Sequence, residues 1–503
     1  MFNLKGKALF NASTILAAIG FLLFGYDQGV MSGIVTNEGF LDLMGRPDSA
    51  TLGAIVALYE IGCMFGALAT GRLSDILGRR NTIRLGCVIL VVGAVIQTAT
   101  THVGMTIVSR ILTGFGNGMN TATVPVYQSE MSPPKSRGAH ICFECTLLVI
   151  GIGIAYWLEY GLFFVSGEVA WRFPLAFQNV FALLLIAGTF VLPETPRWLV
   201  SHDRDDEAKE VLACLWSDGD VNHPRCLGEY QEIKEGIELE RREGISSYKE
   251  LFTKGKFNNR YRVCIGMLSQ IIQQLCGINV TTYYLVSVFK QANMSDSMAM
   301  LMAGVDSIVY ILGSLVPIFL VERVGRRKIM LWGLVTQTIT LVCIGGCQKA
   351  GFDGYSAGGN AAAAFTMLYN FVFGASWLSM AWLYPAEIFS TGLRAKGNSL
   401  STAANWLGNF VVAMIAPILF EHLSYWTYIL FAAFNIVFIP MVYFWFPETK
   451  GLSLEQIEIL FATDEFKEDA KSVIAHIGVT AEYREKPDVE HSVNRSDKKI
   501  ALP

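Results

Sequence analysis

Charge is scarce in this chain. Only 16% of its 503 residues are Asp, Glu, Lys or Arg, against 52% hydrophobic, and the mean hydropathy is +0.41. A chain so poor in charge does not suit a soluble surface and reads as a membrane protein. The formal net charge of -4 is small for the length, which argues against a nucleic-acid partner and against a strongly basic membrane-surface domain. A disulfide framework is missing too, because the ten cysteines are scattered mainly through apolar runs, where a thiol behaves as a small hydrophobe. Cys142 and Cys145 form a C-x-x-C, yet no second pair or histidine cluster completes a metal site. There is no phosphate-cradling loop and no nucleophile with its base, so neither an enzyme nor a cofactor is expected. The first apolar run lasts past residue 30 without a small-residue cleavage site, which fits a spanning helix better than a removable signal peptide.

What the chain does have is long apolar runs. A bilayer core of ~30 Å needs about 20 apolar residues of helix, and runs of that size fall near 11–34, 52–71, 82–100, 104–127, 139–160, 173–193, 262–289, 298–321, 328–348, 361–385, 396–420 and 425–446. They predict an all-helical protein of about twelve spans. A charged segment separates the sixth from the seventh and includes Asp203 to Glu207 and Glu238 to Glu243, so it is expected to be water-exposed and partly helical. Four parts follow: 1–193 and 261–446 as six-helix bundles, 194–260 as a linker, and 447–503 as a tail. Arg72, Arg79 and Arg80 follow the second run, and Arg323, Arg326, Arg327 and Lys328 follow the eighth. Connections on the opposite face, such as 35–50 and 161–172, are poorer in Lys and Arg. The positive-inside rule therefore puts both termini and the linker in the cytoplasm. Asn293-Met294-Ser295 then falls on the face where glycosylation is chemically accessible.

The two halves repeat. Gly78-Arg79-Arg80 recurs as Gly325-Arg326-Arg327, Pro193-Glu194-Thr195 as Pro447-Glu448-Thr449, and Tyr127, Glu130 and Arg137 as Tyr384, Glu387 and Arg394, all in one order at nearly one offset. Two related bundles with a binding site between them near the midplane follow from that. Arg72, Asp75, Arg79, Glu130, Arg137 and Glu194, with Glu322, Arg326, Glu387, Arg394 and Glu448, form a candidate gating network at matching ends. Within it, Glu130 with Arg137 and Glu387 with Arg394 are expected to latch one bundle to the other, carboxylate to guanidinium. The alternative is ordinary solvated surface charge.

Few ionisable groups lie deep in the runs, where each is costly unless paired. Asp27 and Arg110 have opposite sign and form a candidate proton-coupling pair, the bland alternative being a permanent salt bridge. Glu60 and Glu144 also fall within spans, without an assigned role. Gln270, Gln273, Gln274, Asn279, Tyr283 and Tyr284 of the seventh run, Trp377 and Trp382 of the tenth, and Asn405, Trp406 and Asn409 of the eleventh combine amides that both donate and accept with aromatic faces. That combination suits the hydroxyls and C–H face of a neutral sugar or polyol, although amides in membrane helices also serve as interhelical glue.

Over nearly its whole length the chain resembles the sugar porter family of the major facilitator superfamily. The resemblance is carried by Gly71 to Arg80, Pro193-Glu194-Thr195-Pro196-Arg197-Trp198, Gln273 to Asn279, Val321 to Arg327 and Pro447 to Gly451. Tyr26 to Gly29, Tyr59 to Cys63, Asn120 to Glu130 and Asn405 to Asn409 look most like its fungal branch of glycerol/proton symporters and monosaccharide transporters. The resemblance implies alternating access in a fungal plasma membrane, a monosaccharide or polyol as substrate, and protons as co-substrate. It places Asp27 and Arg110 at the coupling position, and Gln273, Gln274, Asn279, Trp377, Asn405, Trp406 and Asn409 against the sugar. Hexose carriers usually place a glutamine where this chain has Cys145, and many place an asparagine where it has Tyr310, which points toward a smaller or less hydroxylated solute. A uniporter of the same fold and a non-transporting sugar sensor are the rival readings.

Overall fold

The structure, a computed structural model, describes residues 4–131, 137–243, 248–253, 258–353, 355–389, 393–452, 457 and 460–462. The side chain of Arg137 and the tail from residue 463 lie outside the described residues. The first half is built from Lys7–Gly29 continued by Met31–Ile34, then Ser49–Leu77, Arg79–Thr98, Val103–Met131, Arg137–Leu162 and Val169–Val191. The second opens with a span in three pieces, Asn259–Leu275, Ile278–Tyr283 and Leu285–Gln291. It continues through Asp296–Val324, Arg326–Phe352, Ser356–Gly374 with Trp377–Ile388, Arg394–Leu423 and Trp426–Trp445. These are two six-helix bundles, as the repeat in the sequence predicts.

Among the described residues, ten of the twelve crossings are helices long and apolar enough to cross a membrane. The other two are the fourth, Val103–Met131, and the seventh. The fourth is long but diluted by buried Arg110, Asn117, Asn120 and Gln128. The seventh is interrupted. Its first break lies at Gly277, which adopts φ 102°, and the second at Tyr284. Broken helices at membrane depth are tolerated where protein lines them, and here the freed backbone faces buried side chains.

The outer faces of the spans are apolar, with Val95, Leu183, Phe190, Phe319, Ile339 and Phe444 all exposed, as a lipid-facing belt requires. Inside, glycine sets the helix spacing. Gly62 and Gly66 of the second span face Gly114 and Gly118 of the fourth so closely that a Cβ at Gly66 would stand 2.1 Å from the Phe115 carbonyl oxygen, and one at Gly118 2.1 Å from that of Cys63. Small residues four apart let two backbones touch where no water drives association. That approach brings Tyr59 of the second span against Arg110 of the fourth.

The linker supplies Pro196–Ser201, Asp205–Trp216, Pro224–Glu243 and Tyr248–Leu251. The second of these buries Ala208, Val211, Leu212 and Leu215 on one face, so the segment packs rather than trailing through water. Lys234 ties it to the third helix through Asp205 at 3.0 Å, and that bond, with one from Tyr230, holds the Asp205 carboxyl below its usual range.

Candidate functional site

The sequence repeat becomes a repeat of geometry. Gly78 and Gly325 have φ 86° and 100°, the left-handed values that let each chain turn from one span directly into the next. In the first half Glu194 accepts hydrogen bonds from the N–H groups of Arg79 (3.0 Å) and Arg80 (3.1 Å). In the second, Glu448 does the same for Arg326 (2.8 Å) and Arg327 (3.2 Å). Each carboxylate thus caps the positive end of a helix with N–H groups that have no partner inside it. Tyr127 donates to the Pro193 carbonyl at 2.9 Å, and Tyr384 to that of Pro447 at 3.0 Å. Arg79 pairs with Glu130 at 3.2 Å and with Asp75 at 3.5 Å, while Arg326 pairs with Glu387 at 2.6 Å and Glu322 at 2.7 Å.

Each of these four ion pairs joins elements of a single half, while the expected partner of Glu130, the Arg137 side chain, lies outside the described residues. The sequence offset aligned equivalent residues, whereas partners are chosen by which span ends lie adjacent. Arg72 is exposed and stands apart from these pairs. Arg394 is half-buried and donates to the Phe389 carbonyl at 3.3 Å, also within its half.

Asp27 and Arg110 are both buried, but no ion pair joins them. Tyr59 stands between. Its hydroxyl donates to Asp27 Oδ2 at 3.1 Å and accepts from Asn117 Nδ2 at 2.5 Å, while its ring lies under the Arg110 guanidinium, 4.2 Å from centroid to Cζ. Arg110 Nη2 donates to the Val56 carbonyl at 3.1 Å. Asp27 Oδ1 and Arg110 Nε are left without hydrogen-bond partners. A phenol therefore lies in contact with both, one that the sequence motif Tyr59-Glu60-Ile61-Gly62 contains but that spacing alone did not connect to Asp27.

The expected amides do come together, at the break in the seventh span. Asn405 Nδ2 donates to Gln270 Oε1 at 2.6 Å and to Gln273 Oε1 at 2.8 Å. Gln273 Nε2 reaches the Trp377 and Leu378 carbonyls, Asn279 Nδ2 reaches Gln274 Oε1 at 2.5 Å, and Asn409 Nδ2 reaches the Tyr283 hydroxyl at 3.3 Å. All six amides are buried, and Asn409 Oδ1 and the Trp406 indole nitrogen lack partners. A network so nearly self-satisfied, with a few groups left over, can exchange internal bonds for bonds to a guest's hydroxyls.

The tryptophans divide. Trp406 packs against Phe24 of the first span, with ring centroids 5.2 Å apart, and Trp382 meets the same ring edge-on at 6.2 Å. Trp377 instead donates its indole N–H to the Met330 carbonyl of the ninth span at 3.0 Å and lies against Gly333. Its buried ring therefore packs against the ninth span, within its own half. Trp382, five residues on, is the tryptophan of the tenth span that meets the first half.

Comparisons with known proteins bear on this arrangement. Residues 13–461 match the family described as "Sugar (and other) transporter". The chain belongs to that family. Among similar proteins are the sugar transporter STL1 of Saccharomyces cerevisiae, 37% identical over 92% of this chain and 82% of that one, and the MFS-type transporter oryC of Aspergillus oryzae, 37% identical over 91% and 86%. A high-affinity glucose transporter of Kluyveromyces lactis is 32% identical over 88% and 83%. The fold is similar to that of the proton:xylose symporter XylE bound to 6-bromo-6-deoxy-D-glucose, at TM-score 0.76 and 26% identity over 91% of this chain and all of that one. The transporter is thus a multi-pass membrane protein of the major facilitator type.

Proposed function

We propose that this transporter carries a monosaccharide across a membrane by alternating access, driven by inward proton flow. The observation that carries the reading is the cluster of buried, uncharged amides at the broken seventh span, hemmed by Trp406 and Trp382 and facing the other bundle. Gln273, Gln274, Asn279, Asn405, Trp406 and Asn409 hold the hydroxyls and ring face of the solute. Trp377 supports them through its backbone carbonyl. Asp27 takes up the proton, with Tyr59 relaying its state to Arg110. Arg79, Glu130 and Glu194, with Arg326, Glu387 and Glu448, keep each half rigid as it rocks. Residues 1–193 and 261–446 move as the two bodies, joined by a cytoplasmic linker at 194–260 and followed by a cytoplasmic tail from 447, in a plasma membrane. Relatives named as sugar and glucose transporters, and a fold neighbour named as a proton:xylose symporter, support this reading.

A polyol such as glycerol is the second reading. Tyr310 is buried against Phe373, with ring centroids 6.3 Å apart, and Cys145 Sγ lies 4.0 Å from the Leu378 carbonyl. Both fill space beside the seam with groups poorer in hydrogen-bonding capacity than an amide.

The test is uptake of labelled hexoses, pentoses and glycerol by cells lacking their own carriers, with and without a protonophore. Accumulation that collapses with the protonophore, and that Asp27→Asn reduces to equilibration, supports symport and names the solute. Equilibrating uptake indifferent to the protonophore makes the protein a uniporter, and no uptake at all favours a sensor.

A further inference from the structure

We propose that Glu60 is a second protonation site of the transporter, whose proton is trapped when the seventh span closes across the seam between the two halves. The inference rests on the proton-driven reading above. It starts from what Asp27 does not touch. The hydrogen bond that Asp27 accepts comes from Tyr59, in its own half. A proton drives alternating access only if its binding changes a contact that differs between the two states, and such contacts lie between halves.

Glu60 has that contact. From the second span its Oε1 accepts a hydrogen bond from the Tyr283 hydroxyl of the second half at 2.5 Å. Tyr283 ends the short helix Ile278–Tyr283, immediately before the break at Tyr284, so its bond meets the segment between the two breaks of the seventh span. Beside it, Tyr156 of the fifth span donates to the Thr282 carbonyl at 2.6 Å, and the Val286 N–H donates to Ser32 Oγ at 3.3 Å. Three bonds from the first half therefore meet this span around its second break. The same phenol accepts from Asn409 Nδ2 while it donates to Glu60.

The carboxyl's second oxygen is the atom that can take the proton. Glu60 is 0% exposed and its Oε2 has no hydrogen-bond partner. A buried carboxylate oxygen with no donor is costly. A proton on Oε2 removes the charge and leaves the Oε1 bond to Tyr283 intact. The titratable and charged groups that face Glu60 are Asp27 of the first span, Tyr59 and Cys63 of its own, Arg110 of the fourth, and Tyr283 and Tyr284 of the seventh. The eleventh span contributes the neutral Asn409 through Tyr283. Among them Arg110 is the single cation, and its guanidinium is engaged by the Val56 carbonyl and the Tyr59 ring. One cation balances one of the two buried acids, so the closed seam favours one neutral carboxyl. Each acid has one unpartnered oxygen, but of the two Glu60 alone is bonded across the seam, through Tyr283, and that contact assigns the proton to Glu60. When the halves part there, Tyr283 withdraws, water reaches Oε2, and the proton exchanges with the solution on that side.

The experiment uses purified full-length protein in liposomes, measuring labelled xylose, glucose and glycerol in two modes: accumulation under a pH gradient, and solute exchange without one. A gradient of about two units permits roughly a hundredfold accumulation for one coupled proton. Glu60→Gln keeps an acceptor for Tyr283 and mimics the neutral acid. Its accumulation is expected to fall to within about twofold of equilibration, with the pH dependence of its exchange flattened. Accumulation and a pH profile equal to those of the unaltered protein would overturn the proposal. Tyr283→Phe provides an independent arm, since it keeps Glu60 and removes only the bond across the seam. A displaced pH midpoint of exchange is expected, and an unmoved midpoint overturns the link to the gate. If the unaltered protein itself fails to accumulate any solute, it is the symport reading that falls.

Discussion

Replacing Glu194 by Gln tests whether the carboxylate after the sixth span holds its half together. The side chain is 8% exposed and accepts from the N–H groups of Arg79, Arg80 and Thr195 at 3.0, 3.1 and 3.0 Å. An amide keeps one acceptor oxygen and turns an NH2 toward the N–H of Arg80, leaving a buried donor facing a donor. Hydrogen bonds to a charged acceptor contribute roughly 1.5–3 kcal/mol each. The lost charge at the helix start adds about 0.3–1 kcal/mol. Together these predict a loss of roughly 2–4 kcal/mol from the first bundle. For a unit of this size about 1 kcal/mol shifts the melting midpoint by about 2–4 °C, so a drop of roughly 4–16 °C is expected in detergent. Glu448→Gln is the internal control, because Glu448 makes equivalent bonds but is only half-buried, so water replaces much of what the substitution removes. Its shift should be less than half as large. Thermal denaturation of the purified variants, followed by intrinsic fluorescence, measures both. Equal shifts, or a larger one for Glu448, would refute the claim that burial of the cap decides its strength.

Gly118→Val should abolish assembly of the first bundle, because the Cβ alone would stand 2.1 Å from the Cys63 carbonyl oxygen; fluorescence-detected size exclusion should show loss of the monodisperse peak. Trp382→Ala should raise the KM for the transported solute about tenfold or more, whereas Trp377→Phe should lower expression or melting temperature with KM within about twofold, since the Trp377 N–H is bound to Met330. Uptake kinetics and thermal denaturation on the same two proteins separate these outcomes.

Sequence alone determined the number of spans and the pairing of halves, because a bilayer demands about 20 apolar residues per crossing and duplicated motifs keep their spacing. The candidate amides were also legible, since Gln273, Gln274 and Asn279 are conspicuous in an apolar setting. Hydropathy weakened at the fourth and seventh spans, where Arg110, Asn117 and the break at Gly277 mark helices facing protein rather than lipid. Only the tertiary structure decided who meets whom. It put Tyr59 between Asp27 and Arg110, and kept the pairs of Arg79 and Arg326 within their own halves. It set Trp382 against the first half and Trp377 against the ninth span, and it brought Glu60 to Tyr283 across 223 residues of chain. The physical reason is shared by all four. Periodicity fixes which residues share a face of one helix, but the rotation and closeness of neighbouring helices are set by packing, here by glycines such as Gly66 and Gly118 that let backbones touch. A polar group's partner depends on that rotation, and the sequence does not state it.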